Sequence, residues 1–162
     1  MTEHDNNNDQ QDVGLYEKLA ARTAELLEEG KKSLDEALKK AKEEFAKAGD
    51  FHSEQLEKMA SYVRRDVLEN AGKARDAVKK AVDPQRVAAG AQSIFARILT
   101  SAADALSDLA DKTEKTLEFK TGEVTSAGTL TCKGCGAEIH LKGTGRIPPC
   151  PKCHKTLFRK SY

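Results

Sequence analysis

The chain has 162 residues, of which 38% are hydrophobic and 33% are charged, and it contains no tryptophan. This composition excludes a thick globular core and favours extended helices with a heavily solvated surface. All four cysteines lie between positions 132 and 153, so disulfide bonds cannot organise the long N-terminal part of the chain.

The formal net charge of +1 hides an asymmetry between the two ends of the chain. Residues 1–118 carry 19 Lys and Arg against 24 Asp and Glu, whereas residues 119–162 carry 8 against 2. The C-terminal segment is therefore mildly basic, while the rest of the chain is acidic. We expect weak and non-specific binding to nucleic acid at most, because the acidic part opposes approach to a polyanion.

The first twelve residues are polar and rich in Asn, Gln and Asp, without any apolar periodicity, and they predict a disordered tail over 1–12. They contain neither the basic segment nor the apolar run of a secretory signal. No stretch of the chain approaches the roughly 20 apolar residues that a membrane span needs. We therefore expect a cytoplasmic protein without a membrane span, in a compartment that keeps thiols reduced.

Apolar residues then recur at helical spacing and predict a helical, coiled-coil-like domain over 13–118. The first helix begins at Val13 and stops at Gly30. The second follows Ser33, which begins a capping box, and stops before Gly49. We interpret carboxylates such as Asp66 on the next helix as solvated surface groups among neighbouring Lys and Arg.

Two further apolar stripes run over 56–82 and 87–117, with Asp83 and a proline between them. The Ala-rich face of the last stripe suits close antiparallel packing and predicts an elongated helical hairpin or bundle. This stripe is wider than one face of a hairpin can cover, and an uncovered apolar patch marks an interface. We therefore predict a homodimer through the helices, with a monomer or attachment to a membrane surface as the alternatives.

After position 118 the pattern becomes β-like, with glycines and a proline pair between short runs. We predict a small all-β module over 119–162, following the mostly α module. The predicted strands cover residues 118–120, 123–125, 129–132, 138–141 and 156–160.

The four cysteines of this module form two pairs, Cys132-x2-Cys135 and Cys150-x2-Cys153, with 14 residues between the pairs. Each C-x2-C turn presents two thiolates close enough to chelate one ion, and the intervening strands bring the two turns together. This pattern predicts one structural Zn²⁺ per chain. Because four protein ligands leave no position for water or substrate, we expect no catalytic residues and no enzyme activity.

Other interpretations of these cysteines are less favoured. A thioredoxin-like C-x-x-C motif occurs once, near a βαβ pattern, whereas this chain has two copies. Residues 150–154 also match the C-x-x-C-H string for haem attachment, which would require export. His154 is a possible alternative zinc ligand, although a surface position or a hydrogen bond to a ligand is the simpler interpretation.

The segment 122–132, which reads Gly-Glu-Val-Thr-Ser-Ala-Gly-Thr-Leu-Thr-Cys, stands with both cysteine pairs and with the segment 62–68 upstream. Together they resemble the small bacterial zinc-ribbon proteins of unknown function. The resemblance covers about residues 13–162 and implies an N-terminal helical region followed by a C-terminal ribbon. It implies no reaction and no substrate.

The leading functional hypothesis is a non-enzymatic zinc-binding interaction or adaptor protein, in which the metal replaces a hydrophobic core in the ribbon. A second hypothesis is nucleic-acid binding by the basic ribbon, and a third is a redox switch that releases zinc on thiol oxidation. The basic residues assigned to phosphate contacts in the second hypothesis are Lys133, Lys142, Arg146, Lys152, Lys155, Arg159 and Lys160.

Overall fold

The computed structural model describes residues 3–30, 33–49, 51–79, 98 and 117–161. The chain begins with three helices, α1 (Glu3–Glu28), α2 (Leu34–Ala48) and α3 (Ser53–Lys79). Short strands follow, and they confirm the predicted combination of a helical region with a small all-β ribbon. The strands are β1 (Phe119–Lys120), β2 (Val124–Thr125), β3 (Gly128–Cys132), β4 (Glu138–Leu141), β5 (Gly145–Arg146) and β6 (Leu157–Ser161).

The three helices pack around one apolar cluster that is formed by the predicted stripes. Leu19 of α1, Leu34 of α2 and Val63 of α3 are fully buried in this cluster. Each helix therefore has one apolar stripe facing its two neighbours, which is the arrangement of a bundle. Ile98 of the fourth predicted stripe is fully buried in the same cluster, and the rest of that stripe before Leu117 lies outside the described residues.

Sequence signals at both ends of α2 are confirmed by the backbone geometry. The side chain of Ser33 accepts a hydrogen bond of 3.2 Å from the N–H of Glu36, which satisfies one of the unpaired donors at the start of the helix. At the other end Gly49 adopts a φ of 77° and donates its N–H to the carbonyl of Ala46. A glycine suits this left-handed position because it has no Cβ to clash.

The predicted disordered tail over 1–12 was wrong for the described part, because α1 begins at Glu3. Asp12 accepts a hydrogen bond of 2.8 Å from Arg146 of β5, and Asp9 lies 2.7 Å from the same guanidinium. These ion pairs connect the start of the chain to the ribbon over 130 positions away in sequence. Composition alone gives no information about a partner so distant in sequence. The prediction therefore missed the turns of α1 that precede Val13.

The ribbon consists of a four-stranded antiparallel sheet in the order β1-β6-β3-β4 and a two-stranded sheet of β2 and β5. Strand β5 was not predicted, because its two residues carry no alternation that a sequence pattern could show. Three large apolar side chains, Phe119, Leu130 and Phe158, are fully buried inside the ribbon together with Ile147. Two cysteines, Cys132 and Cys150, complete this small cluster.

The ribbon lies directly against the helices. Val124 of β2 is fully buried in the helical cluster rather than in the cluster of the ribbon. Strand β2 contacts both α1 and α3, and β5 contacts α1. Among the helices of the described part, we find none that is both long and apolar enough to cross a membrane.

Candidate metal centre

Two tight turns of similar construction hold the four cysteines. In the first turn, after β3, the N–H of Gly136 donates to the carbonyl of Cys132 at 2.9 Å. In the second turn, before β6, the N–H of His154 donates to the carbonyl of Cys150 at the same distance. Each turn thus closes around one C-x2-C pair through a hydrogen bond between residues four positions apart. The backbone alone brings the two thiols of each pair to the same side.

The four Sγ atoms lie within 4.8 Å of one another. The sulfur of Cys132 is 3.5 Å from that of Cys153, and the sulfur of Cys135 is 3.6 Å from that of Cys150. A zinc ion with Zn–S bonds of about 2.3 Å requires sulfurs about 3.8 Å apart in a tetrahedron. The four cysteines, which form no disulfide, therefore fit one tetrahedral ion.

Backbone N–H groups donate to three of the sulfurs, those of Cys132, Cys150 and Cys153. At Cys150 the N–H of Cys153 donates to the sulfur and lowers the pKa of the thiol to about 6, although burial opposes this shift. Burial also raises the pKa of the Cys132 thiol, but hydrogen bonds from the N–H groups of Gly134 and Cys135 outweigh it and lower the pKa overall. Such donors favour the thiolate, which is the form of cysteine that binds metal.

The thiol of Cys153 shows the effect of the neighbouring sulfurs. A hydrogen bond from the N–H of Lys155 lowers the pKa of Cys153, but the neighbouring sulfurs, beginning with that of Cys135, and burial raise it to about 12. Without a cation, the four thiols cannot all ionise at this separation. A divalent cation at the centre removes this repulsion, so the donor set suits a metal ion and not four free thiols.

His154 does not belong to the group of potential ligands. Its side chain is exposed, and the metal-ligating cluster found in the described part contains the four cysteines alone. The residue has a φ of 57°, and Gly136 has a φ of 74° at the equivalent position of the first turn. His154 therefore occupies a left-handed turn position like that of Gly136, a conformation that glycine adopts more readily than histidine.

Sequence reasoning missed the buried polar junction between α3 and the ribbon. Asp66 is fully buried and not solvated, and its Oδ2 accepts three hydrogen bonds. The donors are the hydroxyl of Tyr16 at 2.5 Å, the hydroxyl of Thr125 at 2.7 Å and the N–H of Ser126 at 2.9 Å. The available signal was its position, because Asp66 lies three residues after Val63 on the apolar face of the helix.

Lys160 of β6 reaches the same place from the other side of the junction. Its side chain is fully buried, and its Nζ lies 3.8 Å from the carboxylate of Asp66. The ammonium group also donates to the hydroxyl of Thr125 at 2.7 Å and to the carbonyl of Ser126 at 2.7 Å. Lys160 is thus a structural residue, and its assignment to phosphate contacts was wrong.

Arg65 forms a second contact across the junction. Its guanidinium pairs with the carboxylate of Glu123 and donates to the carbonyl of Val124 at 3.1 Å. It also lies 4.1 Å from the ring centroid of Phe119, a stacking arrangement that arginine favours. The two sequence segments that carry the family resemblance, 62–68 and 122–132, therefore contact each other in space.

Other basic side chains of the ribbon have acidic partners. Arg146 pairs with the start of α1, as described above, and Lys133 lies 2.7 Å from Glu118. The other four of the seven residues assigned to phosphate contacts are exposed. They are Lys142, Lys152, Lys155 and Arg159.

A shallow cleft of about 390 Å³ lies beside the cysteine cluster. Lys133, His154 and Lys155 line it together with Leu157. Leu157 is the large apolar side chain that is exposed in the described part of the chain, at 36%. The side of the ribbon next to the metal centre therefore combines basic groups with one apolar contact.

A helical region joined to a ribbon with four clustered cysteines defines a metal-binding zinc-ribbon protein. Residues 21–161 match the model of the family described as "Zinc-ribbon containing domain", and the chain belongs to this family. The expected family is thereby confirmed.

The chain is similar to the uncharacterised protein YbeL of Escherichia coli strain K12, with 26% identity over 159 residues. The match covers 90% of this chain and 92% of YbeL, and YbeL of E. coli O157:H7 matches to the same extent. No solved structure matches this chain.

Proposed function

We propose that this protein binds one zinc ion per chain through Cys132, Cys135, Cys150 and Cys153 and that it acts as a non-enzymatic interaction protein. The observation that carries the proposal is the tetrahedral fit of the four sulfurs, which lie within 4.8 Å of one another. The ion would hold together a ribbon whose own apolar cluster is too small to fold alone.

The ligand count supports a non-enzymatic role for the metal. Four cysteine ligands fill the tetrahedron of a zinc ion, so no position remains for an activated water or a polarised substrate. The metal then has a structural role, and function resides in the surfaces that it orders. The cleft beside the cysteines, with Leu157 and two lysines, is one such surface for an acidic protein partner.

The experiment that tests this proposal is native mass spectrometry together with cobalt substitution. The wild-type chain should carry one zinc ion, and the cobalt form should show the intense visible bands of tetrahedral thiolate coordination. Added azide or cyanide should leave these bands unchanged, because no coordination position is open. A bound exogenous anion, two metals per chain or an iron–sulfur cluster from cells with physiological metal would contradict the proposal.

The matched variants are Cys150→Ser and Lys152→Ser, which lie in the same turn. Cys150 is fully buried, and its replacement removes a ligand, so we expect loss of bound zinc and of the ordered ribbon. Lys152 is exposed, and its replacement keeps the backbone N–H that points at Cys150. We expect Lys152→Ser to bind zinc like the wild type.

We also propose that the protein is cytoplasmic, where reduced thiols are maintained, and that its helices form a homodimer. Nucleic-acid binding should be weak and non-specific, because the structure pairs or buries three of the seven basic side chains considered. Sub-micromolar binding to DNA or RNA near physiological salt would contradict this part of the proposal.

A further inference from the structure

The contact between the helices and the ribbon has equal numbers of positive and negative charges, with the Asp66–Lys160 pair fully buried and the Arg65–Glu123 pair part-buried. Arg65 and Lys160 bring two positive charges to it, and Asp66 and Glu123 bring two negative charges. Each half of the molecule supplies one charge of each sign. A network of this kind is favourable only when every partner is in place, since the loss of one partner leaves an uncompensated buried charge. The junction therefore forms completely or separates.

We propose that zinc occupancy of the ribbon is transmitted to the helical region through the buried junction of Asp66 with Lys160, so that loss of the metal loosens α1 and α3. The inference rests on the proposed zinc site. It concerns residues that are not metal ligands and that lie outside the two cysteine turns.

The first step of the coupling runs from the metal to Lys160. Strand β6 pairs with β3 in a register that places Phe158 opposite Cys132 and Lys160 opposite Leu130. The strand that ends in a ligand thus positions the buried lysine. Two of the six buried residues in the ribbon cluster are themselves cysteines of the metal centre. Without the ion, this cluster is too small to keep β6 in place.

The second step runs from the ribbon to the helices. When the ribbon unfolds, the hydroxyl of Thr125, the N–H of Ser126 and the ammonium of Lys160 leave the carboxylate of Asp66 together. Val124 leaves the helical cluster, in which it is fully buried. The hydrogen bond from Tyr16 of α1 to Asp66 of α3 then becomes accessible to water. The contact between α1 and α3 is then exposed to solvent at the end of the bundle that the ribbon had covered.

Coupling of this kind acts in both directions. If zinc stabilises the junction, then the junction must strengthen the binding of zinc by the same factor. A substitution that weakens the junction should therefore lower the zinc affinity, even though the substituted residue does not touch the metal.

The test uses the full-length chain with zinc and after chelation, followed by amide hydrogen exchange and by competition with a chromogenic chelator. In the wild type, chelation should accelerate exchange at least about tenfold in the segments of α1 and α3 around Tyr16 and Asp66. Lys160→Met keeps the apolar stem but removes the ammonium group. It should weaken zinc binding at least about tenfold and should already show fast exchange in these segments with zinc bound.

Lys142→Met is the matched control, because Lys142 is an exposed lysine of the same ribbon. It should behave like the wild type in both measurements. If Lys160→Met does not fold, Asp66→Asn tests the same junction from the helical side and should also weaken zinc binding. The cobalt spectrum of each variant shows whether the four thiolates still hold the metal.

The two proposals fail in different ways. A wild-type chain that binds no zinc would overturn both of them. A chain that binds one zinc ion but shows unchanged exchange in α1 and α3 after chelation would overturn the coupling alone. Unaltered zinc affinity in Asp66→Asn and in folded Lys160→Met would do the same.

Discussion

At the scale of single residues, His154 shows how a fold can require an unfavourable backbone conformation. The two cysteine turns close with the same hydrogen bond, and each needs a left-handed residue directly after its second cysteine. The first turn uses Gly136, but the second uses a histidine with a φ of 57°. A side chain in this region is disfavoured by roughly 1–2 kcal/mol relative to glycine.

We predict that His154→Gly stabilises the zinc-loaded ribbon by roughly 0.5–1 kcal/mol. Relief of the left-handed strain exceeds the extra conformational entropy that glycine brings to the unfolded chain. The measurement is chemical denaturation of the zinc-loaded protein. His140→Gly is the control, since His140 lies in strand β4, where glycine should destabilise. A loss of stability in His154→Gly would contradict this prediction and would show that the imidazole makes a stabilising contact in the zinc-loaded ribbon.

At the scale of elements, the ends of α2 are determined locally, while the start of α1 is not. Ser33 and Gly49 provide hydrogen bonds and backbone geometry within a few residues of each helix end. The first turns of α1 contain no apolar residue between Asp5 and Asp12, and they are connected to the structure through Arg146 of β5. Local capping can be read from sequence, whereas an ion pair between distant segments cannot.

We predict that Ser33→Ala destabilises the protein by about 1 kcal/mol, because the N–H of Glu36 loses its acceptor at the helix start. Thermal unfolding followed by circular dichroism measures the effect. Ser61→Ala is the matched control within α3, where alanine is the better helix former and Ser61 is exposed. Equal stabilities for the two variants would mean that the cap of α2 does not contribute.

At the scale of the whole molecule, the sequence pattern and the structure give different views of modularity. The cysteines, the strands and the basic charge all lie in the last third of the chain, which suggests an independent ribbon. The structure instead joins the ribbon to the helices through the buried Asp66–Lys160 pair. Val124 of the ribbon also packs in the helical cluster, and Phe119 of the ribbon stacks against Arg65 of α3. Removal of the metal should therefore affect the helices as well as the ribbon.

The oligomeric state is a further prediction for the whole molecule. The predicted fourth apolar stripe, over 87–117, is wider than the surface that the other helices of one chain can cover. Ile98 of this stripe is buried within the chain. We expect a dimer at tens of micromolar and a monomer for Phe95→Glu, because a buried charge opposes association. Light scattering coupled to size exclusion measures the mass. Ser93→Glu, on another face of the predicted helix, should remain dimeric, and a monomeric wild type would contradict the prediction.

The sequence by itself determined the elements that depend on local spacing. Two C-x2-C turns, helical apolar stripes and a capping serine each act within a few residues, so the metal centre and the helices could be predicted. Strand β5 and the helical start of α1 could not be predicted, because their partners are distant in sequence. For the same reason, sequence analysis assigned Asp66 and Lys160 to the surface, although both are buried.

Only the tertiary structure decided that these two charged residues are buried. A carboxylate or an ammonium group is solvated by default, since leaving water costs several kcal/mol unless partners replace the water. Asp66 and Lys160 lie 94 positions apart in the sequence, and the hydrogen bonds that replace water come from two further segments, at Tyr16 and at Thr125 and Ser126. That compensation exists only once four distant parts of the chain have met, which is why the sequence pattern alone indicated two exposed charges.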